Sequence, residues 1–379
     1  MIPYNMPIFV PGMLENMRQA CEVNRKVSGD GPFTKKASKW LEELTGAPKV
    51  LLTTSCSHAL DMMAVLCGIG PGDEVIIPSY NFPSAANAFV LRGATCVFVD
   101  IRPDTMNIDE TLIEHAITSR TKAICVIHYA GVACEMDAIE SIARRHGLFL
   151  LEDAAQGMLS AYNGRPLGTL GDMGAYSFHE TKNFSMGEGG CLILTDAGYQ
   201  LPAEMLREKG TDRSRFFRGE VDKYNWQTMG SSYLPSEINA ACLCAQLDIA
   251  HKITARRLQI WRAYHDGLFD LQAEGRIELP AVPPECRSNG HIFFIKCRDI
   301  QERTGFIAHM RGRGVTAVFH YVPLHDSPAG RKYGRFHGED RFTTAESERL
   351  VRLPLYYELQ DAQVEYVIGC VREFFLKAS

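Results

Sequence analysis

The chain has no long apolar run. Nowhere does an apolar run approach the roughly 20 residues that a membrane-spanning helix needs, and the start, Met1-Ile2-Pro3-Tyr4-Asn5, lacks the basic-then-apolar pattern of an export signal. Positive charge is not in excess either: 40 lysines and arginines stand against 45 aspartates and glutamates, a net charge of -5, with no basic patch of the kind that binds nucleic acid. Paired cysteine motifs are missing. The 12 cysteines are scattered, and the only close pair, Cys242 and Cys244, is separated by one residue, so neither a CxxC metal site nor a disulfide frame is expected. Internal repeats and low-complexity tracts are absent as well. These gaps argue against a membrane protein, a nucleic-acid binder and a disulfide scaffold, and the expectation is a cytoplasmic globular chain with reduced thiols and no metal.

What is there is enough apolar residue, 46% of 379, for a large domain with a smaller companion. From Lys49 to Leu194 short apolar runs alternate with helical periods, the pattern of an α/β sheet with crossover helices. Strands are expected at Val50–Thr53, Glu74–Ile77, Thr95–Val99, Ala123–His128, Leu148–Glu152, Gly174–Phe178 and Cys191–Leu194. In the helix expected over Ala59–Cys67, Leu60, Met63, Ala64 and Cys67 share one face, and the glycines of Gly68–Asp73 stop it. Arg207–Ser232 is charged and aromatic without a period and is expected to be a long irregular excursion. A helical pattern runs from Ser236 through Ala263 toward Leu271, and Pro280, Pro283 and Pro284 then punctuate the chain. The remainder reads as strand (His291–Cys297), helix (Asp299–Gly312), strand (Val315–Tyr321), loop and two helices. We therefore expect a large α/β domain over residues 1–250, and a connecting helix with a small α+β domain over 251–379.

Three polar residues fall on or just beyond strand ends: Asp153, Ser177 and, five residues later, Lys182. In open α/β sheets ligands bind outside the carboxyl ends of the strands. Pyridoxal 5′-phosphate needs this trio: an amine to join its aldehyde, a carboxylate to keep its ring nitrogen protonated, and small hydroxyls with backbone N–H groups for the phosphate. Gln156 is placed to meet the ring's phenolic oxygen. Thr53–His58, containing Ser55, Cys56 and Ser57, lies between a strand and a helix, where free N–H groups favour an anion. Phe82, after Pro78-Ser79-Tyr80-Asn81, supplies a ring to stack on a flat heterocycle. Singly these residues have plainer readings: Asp153 and Ser57 as helix caps, Lys182 as a surface lysine, Phe82 as core. Their joint presence favours the cofactor.

The residues also carry a resemblance. Pro78–Phe82, His128–Gly131, Glu152–Gln156, Ser177–Asn183, Gly187–Gly190 and Arg352–Leu355 resemble the DegT/DnrJ/EryC1/StrS sugar aminotransferases, and the likeness spans essentially the whole chain. It implies the fold-type-I architecture of pyridoxal-phosphate enzymes, with a central, mostly parallel seven-stranded sheet, and a homodimer with the active site at the subunit interface. It places Lys182 as the Schiff-base lysine and proton carrier, Asp153 on the ring nitrogen, Gln156 at the phenolic oxygen, Ser177 with Ser55–Ser57 at the phosphate, and Phe82 as the stacking ring. Further stretches, Arg102–Glu110, Tyr129–Asp137, Arg218–Tyr224 and Val318–His325, resemble members that move an amino group from L-glutamate to dTDP-4-keto-6-deoxy-D-glucose. His320, Tyr321 and His325 are then candidates to close over the sugar nucleotide, and Arg213, Arg215, Arg218 and Lys223 to meet its diphosphate, although a solvated loop explains the latter as well. Leu234 stands where many members carry an asparagine that reaches the partner's cofactor phosphate. Other regiochemistry or stereochemistry, a dehydratase or lyase, and a non-catalytic cofactor binder are the alternatives. Lys182 argues against the dehydratases, which lack the lysine.

Overall fold

A computed structural model describes residues 1–377. The apolar runs of the first half form the expected strands: β1 (Lys49–Thr53), β2 (Glu74–Pro78), β3 (Thr95–Val99), β4 (Thr121–Ile127), β5 (Phe149–Asp153), β6 (Met173–Ser177) and β7 (Gly190–Leu194). Three later strands are β8 (Phe293–Lys296), β9 (Gly334–Phe336) and β10 (Leu350–Leu353), and three two-residue strands, Ala161–Tyr162, Arg165–Pro166 and Cys286–Arg287, form a small sheet of their own. The large sheet runs β1-β7-β6-β5-β4-β2-β3-β9. Only β7 is antiparallel to its neighbours, and the remaining pairs are parallel. Residues of β1–β7 are almost all buried because helices cover both faces, which is why these strands read as continuous apolar runs rather than alternations.

The sheet has eight strands, one more than the seven read from the first half. The added strand, β9, comes from the C-terminal region and pairs in parallel with β3. Gly-Arg-Phe is too short and too polar to show an apolar period. It is seated by contacts distant in sequence: Gly334 lies against the Phe98 ring, where a Cβ would come within 2.4 Å, and Arg335 reaches buried Glu74 at 3.1 Å.

Two other expectations differ locally. The long helix after Ser236 is two helices, Glu237–Leu247 and Ala250–Ala273, broken at Asp248–Ile249, where Ile249 leaves helical geometry with φ -124°. Val315–Tyr321 is an extended ribbon held by isolated bridges, Val315 to Ile2 and Val318 to Arg352, and it ends at Tyr321 with φ +27°. The C-terminal core gathers Tyr264 and Leu268 from the long helix, Phe293 and Ile295 from β8, Phe306, Val351 and Val367. Ile2 joins this core, so the first residues of the chain pack with the last third. The 207–232 excursion is irregular except for the short helix Arg213–Phe217, and Phe217 and Trp226 stand exposed. Among the described residues no helix is long and apolar enough to cross a membrane, no group of three or more potential ligands for a metal ion occurs, and none of the 12 cysteines is in a disulfide.

Candidate active site

Asp153 and Ser177 are the last residues of β5 and β6, which are neighbours in the sheet. Beyond Ser177 the chain turns back on itself: Phe178 N donates to Gly189 O at 2.8 Å, Met186 N to Phe178 O at 2.9 Å, and buried Phe178 and Phe184 fix the loop in the core. This delivers Lys182 to the cavity that Asp153 also lines. Burial pushes the Lys182 amine below its ordinary range; Asp153 and Cys56 oppose that, and Arg352 adds to it. Burial pushes the Asp153 carboxyl up, opposed by the Ala155 N–H at 3.0 Å and by Lys182 and His128.

Behind Asp153 lies a fully buried pair. Glu152 accepts His128 Nε2 at 2.8 Å and the N–H groups of Gly168, Leu170 and Gly171 at 2.7, 2.5 and 2.6 Å. His128 Nδ1 accepts the Cys134 N–H at 3.2 Å, so its proton sits on Nε2 and is donated to Glu152. Gln156 is oriented just as firmly. Its Oε1 accepts the Ala130 N–H at 2.7 Å, which leaves Nε2 to donate, here to the Tyr321 hydroxyl at 3.0 Å.

Opposite, the helix Cys56–Leu66 opens toward the cavity. Ser55 caps it by accepting the His58 N–H at 3.1 Å, and Ala59 N bonds Ser55 O at 3.2 Å. The N–H groups of Cys56 and Ser57 belong to the first turn and have no intrahelical acceptor. Thr54 N is tied to Tyr233 O at 2.8 Å, and Ser57 Oγ donates to Ser84 Oγ at 2.7 Å. Gly190 closes the turn from behind, where a Cβ would come within 2.3 Å of Cys56 N. Phe82, 57% exposed, stands on the wall with its ring 6.2 Å from that of Tyr321.

A cavity of about 1200 Å³ joins Ser55, Cys56, Ser57, Phe82, Asp153, Gln156, Ser177, Lys182, His320 and Tyr321. Five candidates, His325, Arg213, Arg215, Arg218 and Lys223, stand outside its lining. His325 bonds Ser79 Oγ at 2.6 Å and Asp340 at 3.2 Å, fastening the loop after Tyr321 to the end of β2. Arg213 pairs with Glu208 at 3.4 Å, and Arg218 with Glu204 at 2.8 Å and Glu220 at 2.6 Å, on the outward excursion. Conversely, Tyr4, His291 and Arg352 line the cavity, although their sequence surroundings did not mark them as site residues. Arg352 opens the Arg352–Leu355 motif, and His291 begins an expected strand. Tyr4 carries no local signal, because the Ile2–Val315 pairing brings it there.

This set fits pyridoxal phosphate: a half-buried amine of lowered basicity, a buried carboxylate with one oxygen uncommitted, an amide held with its N–H outward, two free N–H groups at a helix start, and an accessible aromatic face. Lys182, Asp153, Gln156, Ser177 and the Ser55–Ser57 turn would hold it, and the bound cofactor supplies an electron sink for a carbanion. Fold and site together define a pyridoxal-phosphate-dependent aminotransferase.

Comparison with known proteins gives the family. Residues 13–372 match the DegT/DnrJ/EryC1/StrS aminotransferase family, and the chain belongs to it. It is 32% identical over 384 residues, covering 98% of this chain and 96% of the relative, to the spore coat polysaccharide biosynthesis protein SpsC of Bacillus subtilis. The aminotransferase TlmJ of Streptoalloteichus hindustanus superposes with a TM-score of 0.90 at 30% identity, covering 100% of both chains. The PMP-form of the putative sugar aminotransferase Spr1654 of Streptococcus pneumoniae superposes with a TM-score of 0.92 at 26% identity, again over 100% of both chains.

Proposed function

We propose that the protein transfers the amino group of L-glutamate to the keto carbon of a nucleotide 4-keto-6-deoxyhexose, with dTDP-4-keto-6-deoxy-D-glucose as substrate and dTDP-4-amino-4,6-dideoxygalactose and 2-oxoglutarate as products. The observation that carries it is the meeting of Lys182, of lowered basicity, with the buried Asp153 carboxylate in one cavity of about 1200 Å³, ample for a cofactor and a substrate together. Lys182 is the group that takes a proton from the donor's α-carbon and returns it at the sugar carbon, and a lowered basicity suits an amine that must do both near neutral pH. Asp153 holds the ring nitrogen in its protonated form. The sugar reading is supported by the resemblance of Arg102–Glu110, Tyr129–Asp137, Arg218–Tyr224 and Val318–His325, and by relatives whose names place them in polysaccharide biosynthesis or sugar amination. It places the enzyme in deoxysugar supply for cell-surface polysaccharide, in the cytoplasm, where free cysteines persist.

We assign residues 1–250 to the cofactor-binding domain and 251–379 to the connecting helix and small domain. The working unit is a homodimer. The 207–232 excursion, with its exposed Phe217 and Trp226 and its arginines, would reach the partner's cavity, so Arg213 and Arg218 act there on the diphosphate while His320 and Tyr321 face the sugar of their own subunit. With leucine at 234, Ser231, Ser232 or Tyr233 would supply the contact to the partner's cofactor phosphate. The test is incubation of the enzyme with L-glutamate and a panel of nucleotide 4-keto-6-deoxysugars, with the product's amine position and configuration read by NMR. An axial amine at C4 is expected. Amination at C3, an equatorial amine, or loss of water from the sugar without amino transfer would overturn the assignment.

A further inference from the structure

His291 is a buried, cavity-lining histidine to which the transamination gives no work. Among the described residues its side chain makes one hydrogen bond, to the residue next to Lys182: Nδ1 lies 2.9 Å from Asn183 Oδ1. The direction of that bond is fixed from the far side. Asn183 Nδ2 donates to Asn289 O at 3.2 Å, a partner that can only accept, so Asn183 turns its oxygen to His291 and the proton of the bond sits on Nδ1. Burial, with the positive fields of Lys182, Arg257 and Arg352, holds the ring well below the ordinary histidine range, so it is neutral. The segment that carries His291 is tied down in turn. Asn289 Nδ2 donates to Gln156 O at 2.8 Å and to Met158 O at 2.9 Å. Arg257, from the helix Ala250–Ala273, donates through Nε to Gly290 O at 3.2 Å and through Nη2 to His291 O at 2.6 Å. Asn183, Asn289, His291 and Arg257 are all buried. Around Lys182 the loop bonds to itself, His179 to Thr181 at 3.0 Å and Lys182 N to His179 O at 2.9 Å, and Asn183 is what links it to the segment that also holds the Gln156 turn.

We infer that His291 is a positioning residue for the proton transfer: through Asn183 it fixes the backbone from which the Lys182 amine reaches the reacting carbon, and the Asn289–His291 segment keeps that loop in register with Gln156. The inference rests on the reading of Lys182 as the proton carrier. A lysine side chain is a flexible four-carbon stem, so where its amine works is decided by where its backbone is held and by the walls around it. Proton transfer at carbon is intolerant of error in that placement, and a displacement of about 1 Å costs about a hundredfold in rate. The brace is built from neutral groups, two amides and a neutral imidazole, so it holds the loop without adding a charge beside the amine.

Two replacements of similar shape separate the ring nitrogens: asparagine places an N–H where Nδ1 stands, whereas glutamine reaches the Nε2 position and leaves Asn183 without its donor. On holoenzyme, followed by the cofactor's visible absorption, His291→Leu is expected to slow the L-glutamate half-reaction by about tenfold to a hundredfold. The isotope effect from α-deuterated L-glutamate should grow, while binding of unreactive α-methyl-L-glutamate changes less than about threefold. His291→Asn should return the rate to within about threefold of wild type, and His291→Gln should not. His291→Leu combined with Asn183→Ala should cost no more than the worse of the two alone. In the cofactor-free protein, the pH dependence of Lys182 acetylation by acetic anhydride, read by peptide mass spectrometry, should move up toward the ordinary value of 10.5 in His291→Leu, as the loop relaxes and the amine gains water, and stay in place in His291→Asn. Rescue by glutamine but not asparagine, additive losses in the double variant, or an unchanged isotope effect with an unchanged acetylation profile in His291→Leu would each overturn the inference. Normal transamination by Lys182→Ala would overturn the reading of Lys182 itself, with the acetylation profiles still deciding whether His291 holds the loop.

Discussion

Replacing Glu152 by glutamine changes one atom in the fully buried layer beneath Asp153. The carboxylate there accepts four donors, two on each oxygen: Leu170 and Gly171 N–H on Oε1, Gly168 N–H and His128 Nε2 on Oε2. An amide offers one oxygen. If it faces Leu170 and Gly171, the new NH₂ confronts the Gly168 N–H, and His128 can accept from it only by moving its own proton to Nδ1, which strands the Cys134 N–H. If the amide turns over, Leu170 and Gly171 are stranded instead. Either way two buried donors lose their acceptors, at about 1–3 kcal/mol each, and Glu152→Gln should destabilise the cofactor-free protein by about 2–6 kcal/mol. Urea unfolding followed by circular dichroism measures it. Because Asp153 is the next residue, cofactor affinity should fall as well. A destabilisation below about 1 kcal/mol would show that the loop 168–171 and His128 do not depend on this charge, and that Asp153 is positioned by something other than the layer beneath it.

Two further outcomes are expected. Gly190→Ala puts a methyl group within 2.3 Å of Cys56 N; the backbone of the phosphate turn must shift, and cofactor affinity measured by fluorescence titration should drop by more than about tenfold, whereas unaltered affinity would mean the turn does not hold the phosphate. In the cofactor-free protein, burial holds the Lys182 amine below the ordinary value of 10.5. Between its folded value and 10.5 the unfolded chain carries the extra proton, so stability relative to Lys182→Met should rise with pH across that window and level off above it; a difference flat with pH would mean the amine is not desolvated.

Strand positions are legible in the sequence because fully buried parallel strands leave continuous apolar runs, and the candidate cofactor residues because they cluster at strand ends within four short motifs, Thr53–His58, Pro78–Phe82, Glu152–Gln156 and Ser177–Asn183. The Asp153–Lys182 pair needs no tertiary information beyond adjacent strands. The hidden features depend on distant chain meeting distant chain. The Gly334–Phe336 strand is recruited by Phe98 and Glu74, and Tyr4 enters the cavity because Ile2 pairs with Val315. The break at Asp248–Ile249 carries no proline or glycine to announce it. The diphosphate role proposed for Arg213 and Arg218 comes from residue type, and sequence does not reveal that each is also held by a glutamate in the fold. Glu152 and His128 lie inside the Glu152–Gln156 and His128–Gly131 motifs, yet their four-donor layer emerges only once the loop 168–171 folds over it.

The measurement that bears most directly on the central claim is borohydride reduction of the yellow holoenzyme followed by peptide mass spectrometry. If Lys182 carries the cofactor, the visible absorption bleaches and a single phosphopyridoxyl-modified peptide bears the label on Lys182, absent from Lys182→Ala, which should also lose turnover. A label on another lysine, or normal transamination by Lys182→Ala, would contradict it.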